Sequence, residues 1–221
     1  MHLIDTHCHL NFNRYDDDRD EVVARATEQG VTRIVIPGID IDTTREALAL
    51  TEQYTGIYVG AGIHPNSTAA FTDADIATIR ALADHDKVVA IGEIGIDYHW
   101  DYSPPETQKR AFRAQLDLAA ELELPVIIHN REASDDVMDV LEAWVAAGLP
   151  DRIKDRPGVL HSFSAPQSTA DRALAIGFYL GFTGPVTFKK ANDLRTVVRT
   201  VPEDHILVET DGPFLTPEPK R

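Results

Sequence analysis

Cysteine is nearly absent: Cys8 is the only one among 221 residues. One thiol cannot close an intramolecular disulfide, and it cannot build a cysteine-based zinc site. No apolar run approaches the ~20 residues that a membrane helix needs. The opening stretch Met1–Leu10 carries histidines and an aspartate where a secretory signal would carry a basic region and a long apolar core. A cytoplasmic location is expected. Positive charge is also scarce, with 21 Lys and Arg against 36 Asp and Glu, a net of −15. A protein that coats nucleic acid nonspecifically is basic. Any polyanionic ligand here would need a local site, helped by bound cations. No GxGxxG follows the first apolar run, which removes the dinucleotide fingerprint. No Gly-x-Ser-x-Gly is present, so there is no signal for a serine nucleophile elbow.

What the chain does have is a rhythm. Short β-rich apolar runs alternate with helix-length amphipathic segments. Eight runs read as strands: Leu3–Thr6, Arg33–Pro37, Ile57–Ala61, Val88–Ile94, Pro125–His129, Gly158–Ser162, Phe178–Phe182 and Ile206–Thr210. Seven helices are expected between them, roughly Asp18–Gln29, Thr43–Tyr54, Asp73–Ala83, Pro105–Leu122, Ala133–Ala147, Pro166–Ile176 and Lys189–Val198. This alternation predicts a parallel sheet closed into a (β/α)8 TIM barrel, one α/β domain over residues 1–221. About ten residues follow the eighth strand, too few for a closing helix, and such barrels typically need ~250 residues. The expectation is that the eighth helix is missing from this chain, by truncation or because it is not recorded.

The residues able to do chemistry fall at the C-terminal ends of these strands, the catalytic face of this fold. His7 and His9 flank Cys8, and alternation along a strand turns both imidazoles to one face. Glu93 closes the fourth strand between apolar neighbours and two glycines, where an unpaired carboxylate is costly to bury. His129 closes the fifth strand, His161 the sixth, and Asp211 follows the eighth. Four imidazoles and two carboxylates exceed what one ion needs. They suit two divalent ions with Glu93 as the bridge. His7, His9, Glu93 and Asp211 would hold the first ion, and Glu93, His129 and His161 the second. Imidazole favours zinc, manganese or iron and oxygen favours magnesium, so Mg, Mn and Zn all stay open. Arg131 suits bidentate phosphate binding, or an ion pair with Glu132 or Asp135. Tyr98 and Trp100 suit stacking on a nucleobase, or cover for the core. Cys8 reads as a small packing residue. His2, His85 and His205 lie away from this face.

Asp5-Thr6-His7-Cys8-His9-Leu10, Gly62-Ile63-His64-Pro65, Gly92-Glu93-Ile94-Gly95-Ile96-Asp97-Tyr98, Pro125-Val126-Ile127-Ile128-His129-Asn130-Arg131, His161-Ser162-Phe163-Ser164 and Glu209-Thr210-Asp211-Gly212-Pro213-Phe214-Leu215 occur in that order. Together they resemble the TatD-type metal-dependent deoxyribonucleases of the amidohydrolase superfamily, from Asp5 to Pro219. The resemblance implies a TIM barrel, a divalent-metal centre and hydrolysis of nucleic-acid phosphodiesters, often from the 3′ end. It implies the same six ligands, and a contact between His64 and the scissile phosphate. The other reading of His64 is packing beneath Pro65. Members usually continue through a further C-terminal helix.

The expected activity is therefore a 3′-end deoxyribonuclease. In the expected mechanism, a water held between two ions loses its proton to Asp211, and His64 and Arg131 offset charge on the phosphoryl oxygens. Catalytic roles fall to Asp211, Glu93 and His64, and substrate contacts to His64, Arg131 and Tyr98. The partner would be DNA at single-stranded ends, with no membrane and no obligate protein partner evident. Two alternatives are C–N or ester hydrolysis at the same centre, which often uses a carbamylated lysine where this chain has Glu93, and an inactive metal-binding scaffold. Two divalent ions against two carboxylates would make the mouth positive on an acidic body.

Overall fold

The computed structural model describes residues 2–220. Eight strands form one sheet in chain order, every neighbouring pair parallel: β1 Leu3–Asp5, β2 Val31–Pro37, β3 Ile57–Ala61, β4 Val88–Asp97, β5 Val126–Arg131, β6 Gly158–Leu160, β7 Tyr179–Phe182 and β8 Ile206–Val208. Between them run α1 Arg19–Glu28, α2 Ile41–Thr51, α3 Asp73–Ala83, α4 Pro105–Leu122, α5 Ser134–Ala146, α6 Gln167–Ala175 and α7 Asn192–Val198. The sheet curls until β8 meets β1. The Thr6 amide reaches Val208 O at 3.4 Å, the Asp211 amide donates to His7 O at 2.8 Å, and the His9 amide donates to Gly212 O at 2.8 Å. The expected (β/α)8 barrel is the observed fold. No helix follows β8 among the described residues, and Ile4 and Val208 are exposed.

Local sequence explains the elements. Asp40 and Thr43 form a reciprocal capping box at the start of α2. Pro105 opens α4, where a missing N–H costs nothing. Ala111, Phe112, Leu116, Leu118 and Ala119 then bury one face of that helix.

Two layers of apolar contact follow from strand alternation. Ile34, Ile36, Val126, Ile128, Leu160 and Leu180 belong to the large core that also holds the helices. Val35, Ala90, Ile127, Val159, Tyr179 and Leu207 form a separate cluster, the filling of the barrel. Two residues beyond Ile127 along the same face comes His129, beyond Val159 comes His161, and beyond Leu207 comes Glu209. The inward face thus turns from apolar to chemical at the C-terminal ends of the strands.

Strand β4 breaks this alternation. It runs on to Asp97 instead of closing at Glu93. Its partners on β5 are Val126 for Ile91 and Ile128 for Ile94, so three residues of β4 span two of β5. This bulge keeps Ile91, Ile94 and Ile96 in the outer core. It turns Glu93, Gly95 and Asp97 inward, as bulges beside active sites do. Gly95 has φ +149°, and a Cβ there would lie 2.0 Å from His129 O.

Candidate metal centre and active site

The six expected ligands converge at the barrel mouth, and Glu93 is their centre. The residue is 3% exposed. Its Oε2 lies 3.4 Å from His7 Nε2 and 3.9 Å from His9 Nε2. Its Oε1 lies 2.8 Å from His129 Nδ1 and 2.8 Å from His161 Nε2. Asp211 Oδ1 lies 3.6 Å from His7 Nε2 and 3.5 Å from His9 Nε2. Asp211 sits in the left-handed region at φ +53°, a conformation that Asp tolerates better than most residues.

Electrostatics divide the imidazoles. Burial opposes charge on Glu93, but His161, His7, His64 and the hydrogen bond from His129 hold its carboxyl well below the ordinary range. His7 and His161 stack with centroids 3.8 Å apart, too close for both to be charged. Burial and the charge of His161 bring His7 down to about 4. Burial also opposes charge on His161, but Glu93, Glu209 and Asp211 raise it to about 9. His129 is raised as well, because hydrogen bonds to Asp97 and Glu93 outweigh its burial. Burial raises Asp211, and the hydrogen bond with His9 and the charges of His161 and His7 bring it below the usual carboxylate value.

The donor set fits divalent ions. The Nε2 atoms of His7 and His9 face each other at 3.3 Å. That is about the separation of two nitrogens held ~2.0–2.1 Å from one tetrahedral ion. The Nδ1 atoms of both rings are buried without a hydrogen-bond partner. His7, His9 and Asp211 present three ligand atoms within 4.8 Å of one another, as do His64, Glu93 and His129.

His64 itself reads differently from a ligand. Its Nδ1 accepts the Asn66 amide at 3.1 Å. A neutral ring carries one proton, so that proton is on Nε2, which points toward Glu93 Oε1 at 3.6 Å. Burial and the charge of His129 bring its pKa down to about 3, so it stays neutral. His64 is therefore a hydrogen-bond donor to the cavity.

The cavity over these groups measures about 690 Å³ and is lined by His9, His64, Glu93, Asp97, Trp100, His129, Arg131, His161, Asp211 and Phe214 among others. Its size is that of a site for a small organic ligand. Arg131 reaches this cavity, and its guanidinium sits 5.7 Å from the Trp100 ring centroid. The alternative ion pairs for Arg131 are taken by others: Glu132 binds His99 at 2.7 Å and Asp135 faces Arg172 at 3.6 Å. Tyr98 does not line this cavity. Its hydroxyl donates to Asp136, and Lys109 closes the same cluster at 3.0 Å from Asp136. Cys8 is buried in the core, as expected of a packing residue.

Three carboxylates escaped the sequence reading. Asp97 Oδ2 accepts from His129 Nε2 at 2.9 Å. Glu209 Oε1 lies 3.8 Å from His161 Nδ1 and accepts the Ser162 amide. Burial raises its pKa to about 7. Gly181 makes room for it, since a Cβ there would lie 2.5 Å from the Glu209 carboxylate. Asp5 accepts the Thr210 hydroxyl at 2.6 Å and supports the closing loop. A signal existed for two of them: Asp97 is four residues after Glu93, and Glu209 two before Asp211, spacings that share a strand face.

Comparison with known proteins agrees with this geometry. The family model for TatD related DNases matches residues 4–221. The chain is 46% identical over 219 residues to an uncharacterized metal-dependent hydrolase, YabD, of Bacillus subtilis, covering 99% of this chain and 83% of that protein. It is 37% identical over 217 residues to the 3′-5′ ssDNA/RNA exonuclease TatD of Cronobacter sakazakii, covering 97% of this chain and 80% of that protein. The crystal structure of YjjV, a TatD homologue of Escherichia coli, superposes with a TM-score of 0.88 at 31% identity, covering 98% of this chain and 82% of that one. A match of this extent covers nearly the whole chain, and on that ground the chain belongs to the TatD related DNase family.

Proposed function

We propose that this chain is a metal-dependent nuclease that removes nucleotides from the 3′ ends of single strands, working in the cytoplasm on DNA and, like the Cronobacter sakazakii exonuclease, on RNA. One observation carries the proposal: Glu93 divides its two oxygens, Oε2 toward His7 and His9, Oε1 toward His129 and His161 at 2.8 Å each. This division supports two ions, one with His7, His9, Glu93 and Asp211, the other with Glu93, His129 and His161. Divalent ions bound there would lower the pKa of an attacking water toward neutrality and offset charge on the phosphoryl oxygens.

The protein groups do the rest. Asp211 takes a proton from the attacking water at its carboxylate. The water oxygen bonds to phosphorus, the bond from phosphorus to the departing sugar oxygen breaks, and that oxygen is protonated from bulk water. His64 donates from Nε2 to a phosphoryl oxygen, and Arg131 offers its guanidinium fork to the same group. A cavity of about 690 Å³ suits a strand end better than a duplex.

The test is digestion of 3′- and 5′-labelled single-stranded oligonucleotides with Mg²⁺, Mn²⁺ or Zn²⁺. Wild type is expected to shorten strands from the 3′ end. Glu93→Ala is expected to lose this activity, and Asp211→Asn to keep its fold and lose most turnover. No cleavage by wild type with any of the three ions would overturn the proposal.

A further inference from the structure

Asp97 is 1% exposed and sends its two oxygens to different structures. Oδ2 accepts from His129 Nε2 at 2.9 Å and from Asn66 Nδ2 at 3.2 Å. Oδ1 accepts the backbone amides of His99 at 2.9 Å and Trp100 at 3.2 Å. The Asp97 amide is held in turn by Gln108 Oε1 at 2.8 Å. One oxygen thus orients a candidate metal ligand, and the other folds the loop between β4 and α4.

That loop carries Trp100 to the rim of the cavity, where the indole is 44% exposed. The ring is held on several sides. Tyr102 stacks on it with centroids 5.7 Å apart, and His99 meets it edge-on at 4.7 Å. The guanidinium of Arg131 lies 5.7 Å from its centroid. A large, braced ring, still part exposed at the rim of the cavity and with a guanidinium over it, has the chemistry that recognises an unpaired nucleobase.

We propose that Trp100 is the stacking platform for an unpaired base next to the scissile phosphate, and that Asp97 is a positioning residue that keeps this platform in register with His129. The inference rests on the nuclease reading above and names what that site selects: a base free to leave its partner. In a duplex the bases are already stacked and paired, and the platform gains nothing from them.

The experiment compares cleavage of a single-stranded oligonucleotide with the same strand made abasic at its 3′-terminal positions. Wild type is expected to show a lower KM for the base-bearing strand. In Trp100→Ala this preference is expected to shrink about tenfold or more, and in Trp100→Phe to return in large part. In Asp97→Asn, folded by circular dichroism, the preference is expected to fall together with Mn²⁺ affinity measured by calorimetry without substrate. A wild-type preference in Trp100→Ala overturns the platform, while the nuclease reading stands. Loss of only one of the two properties in Asp97→Asn overturns the coupling. A measurement on wild type keeps the test independent of that variant's folding. The Nε2 proton of His129, bound to Asp97, is expected to shift in NMR spectra when a base-bearing dinucleotide binds and to stay put with its abasic counterpart. Equal responses to the two overturn the coupling. Wild type that cleaves neither strand with any divalent ion removes the nuclease reading and this inference with it.

Discussion

Glu93 Oε1 and His161 Nε2 lie 2.8 Å apart at the floor of the barrel mouth, both side chains buried. The pair contributes to the pH response of the metal-free protein on both sides of neutrality. His161 is raised from 6.5 to about 9 in the fold. Its contribution is therefore fully present below pH 6.5 and lost as pH rises through about 9. Glu93 is lowered from 4.5, so its contribution is present above that value and lost as pH falls through the folded one. His7 and His64 are lowered to about 4 and about 3. Below pH 6.5 they take up protons more readily when unfolded, which also weakens the fold in acid. Melting temperatures in chelator are expected to fall on both sides of neutrality. An unchanged melting temperature from pH 6.5 to 9 would refute a charged His161.

Metal binding is expected to release protons. Glu93 helps raise His161 to about 9 and raises His129 as well, and a ligand nitrogen must lose its proton to bind an ion. Calorimetric titration with Mn²⁺ at pH 7, repeated in buffers of different ionisation enthalpy, is expected to show release of about one proton or more. Heats that do not depend on the buffer would contradict a protonated His161 as a ligand.

His64→Ala separates a donor from a ligand. The Asn66 amide holds His64 Nδ1 at 3.1 Å and leaves the proton on Nε2. Turnover is expected to fall about 10²- to 10³-fold, the usual cost of one lost donor to a developing charge. Metal affinity is expected to stay at the wild-type level. A large loss of metal affinity would make His64 a ligand.

Gly95→Ala tests the β4 bulge. The new Cβ would lie 2.0 Å from His129 O, at a φ of +149° that side chains rarely adopt. The expected cost is about 2 kcal/mol or more in stability, together with weaker metal binding because His129 must shift. Denaturant unfolding and calorimetry measure the two effects. A stable variant with normal metal affinity would show that the strand can yield there.

Much of this molecule is local enough to read along the chain. Short β-rich apolar runs marked all eight strands, and amphipathic stretches marked the seven helices, because apolar runs and helical facing are properties of neighbouring residues. Alternation along a strand carried His129 from Ile127 and His161 from Val159 onto the inner face. Closure of the sheet was legible from the count of strands, but the bonds that make it were not, since Asp211 N–H to His7 O joins residues at opposite ends of the chain. Nor was the β4 bulge, a mismatch of register between two strands that neither strand reveals alone. It turns Asp97 inward to His129. Tyr98 and Trp100 look alike as loop aromatics in sequence. Asp136 draws the first away from the cavity, and Asp97, through the Trp100 amide, holds the second at its rim. Sequence determined the four imidazoles and two carboxylates that meet at the mouth. Tertiary contacts decided which atom of each group faces which partner, because a hydrogen-bond partner is chosen by proximity in space.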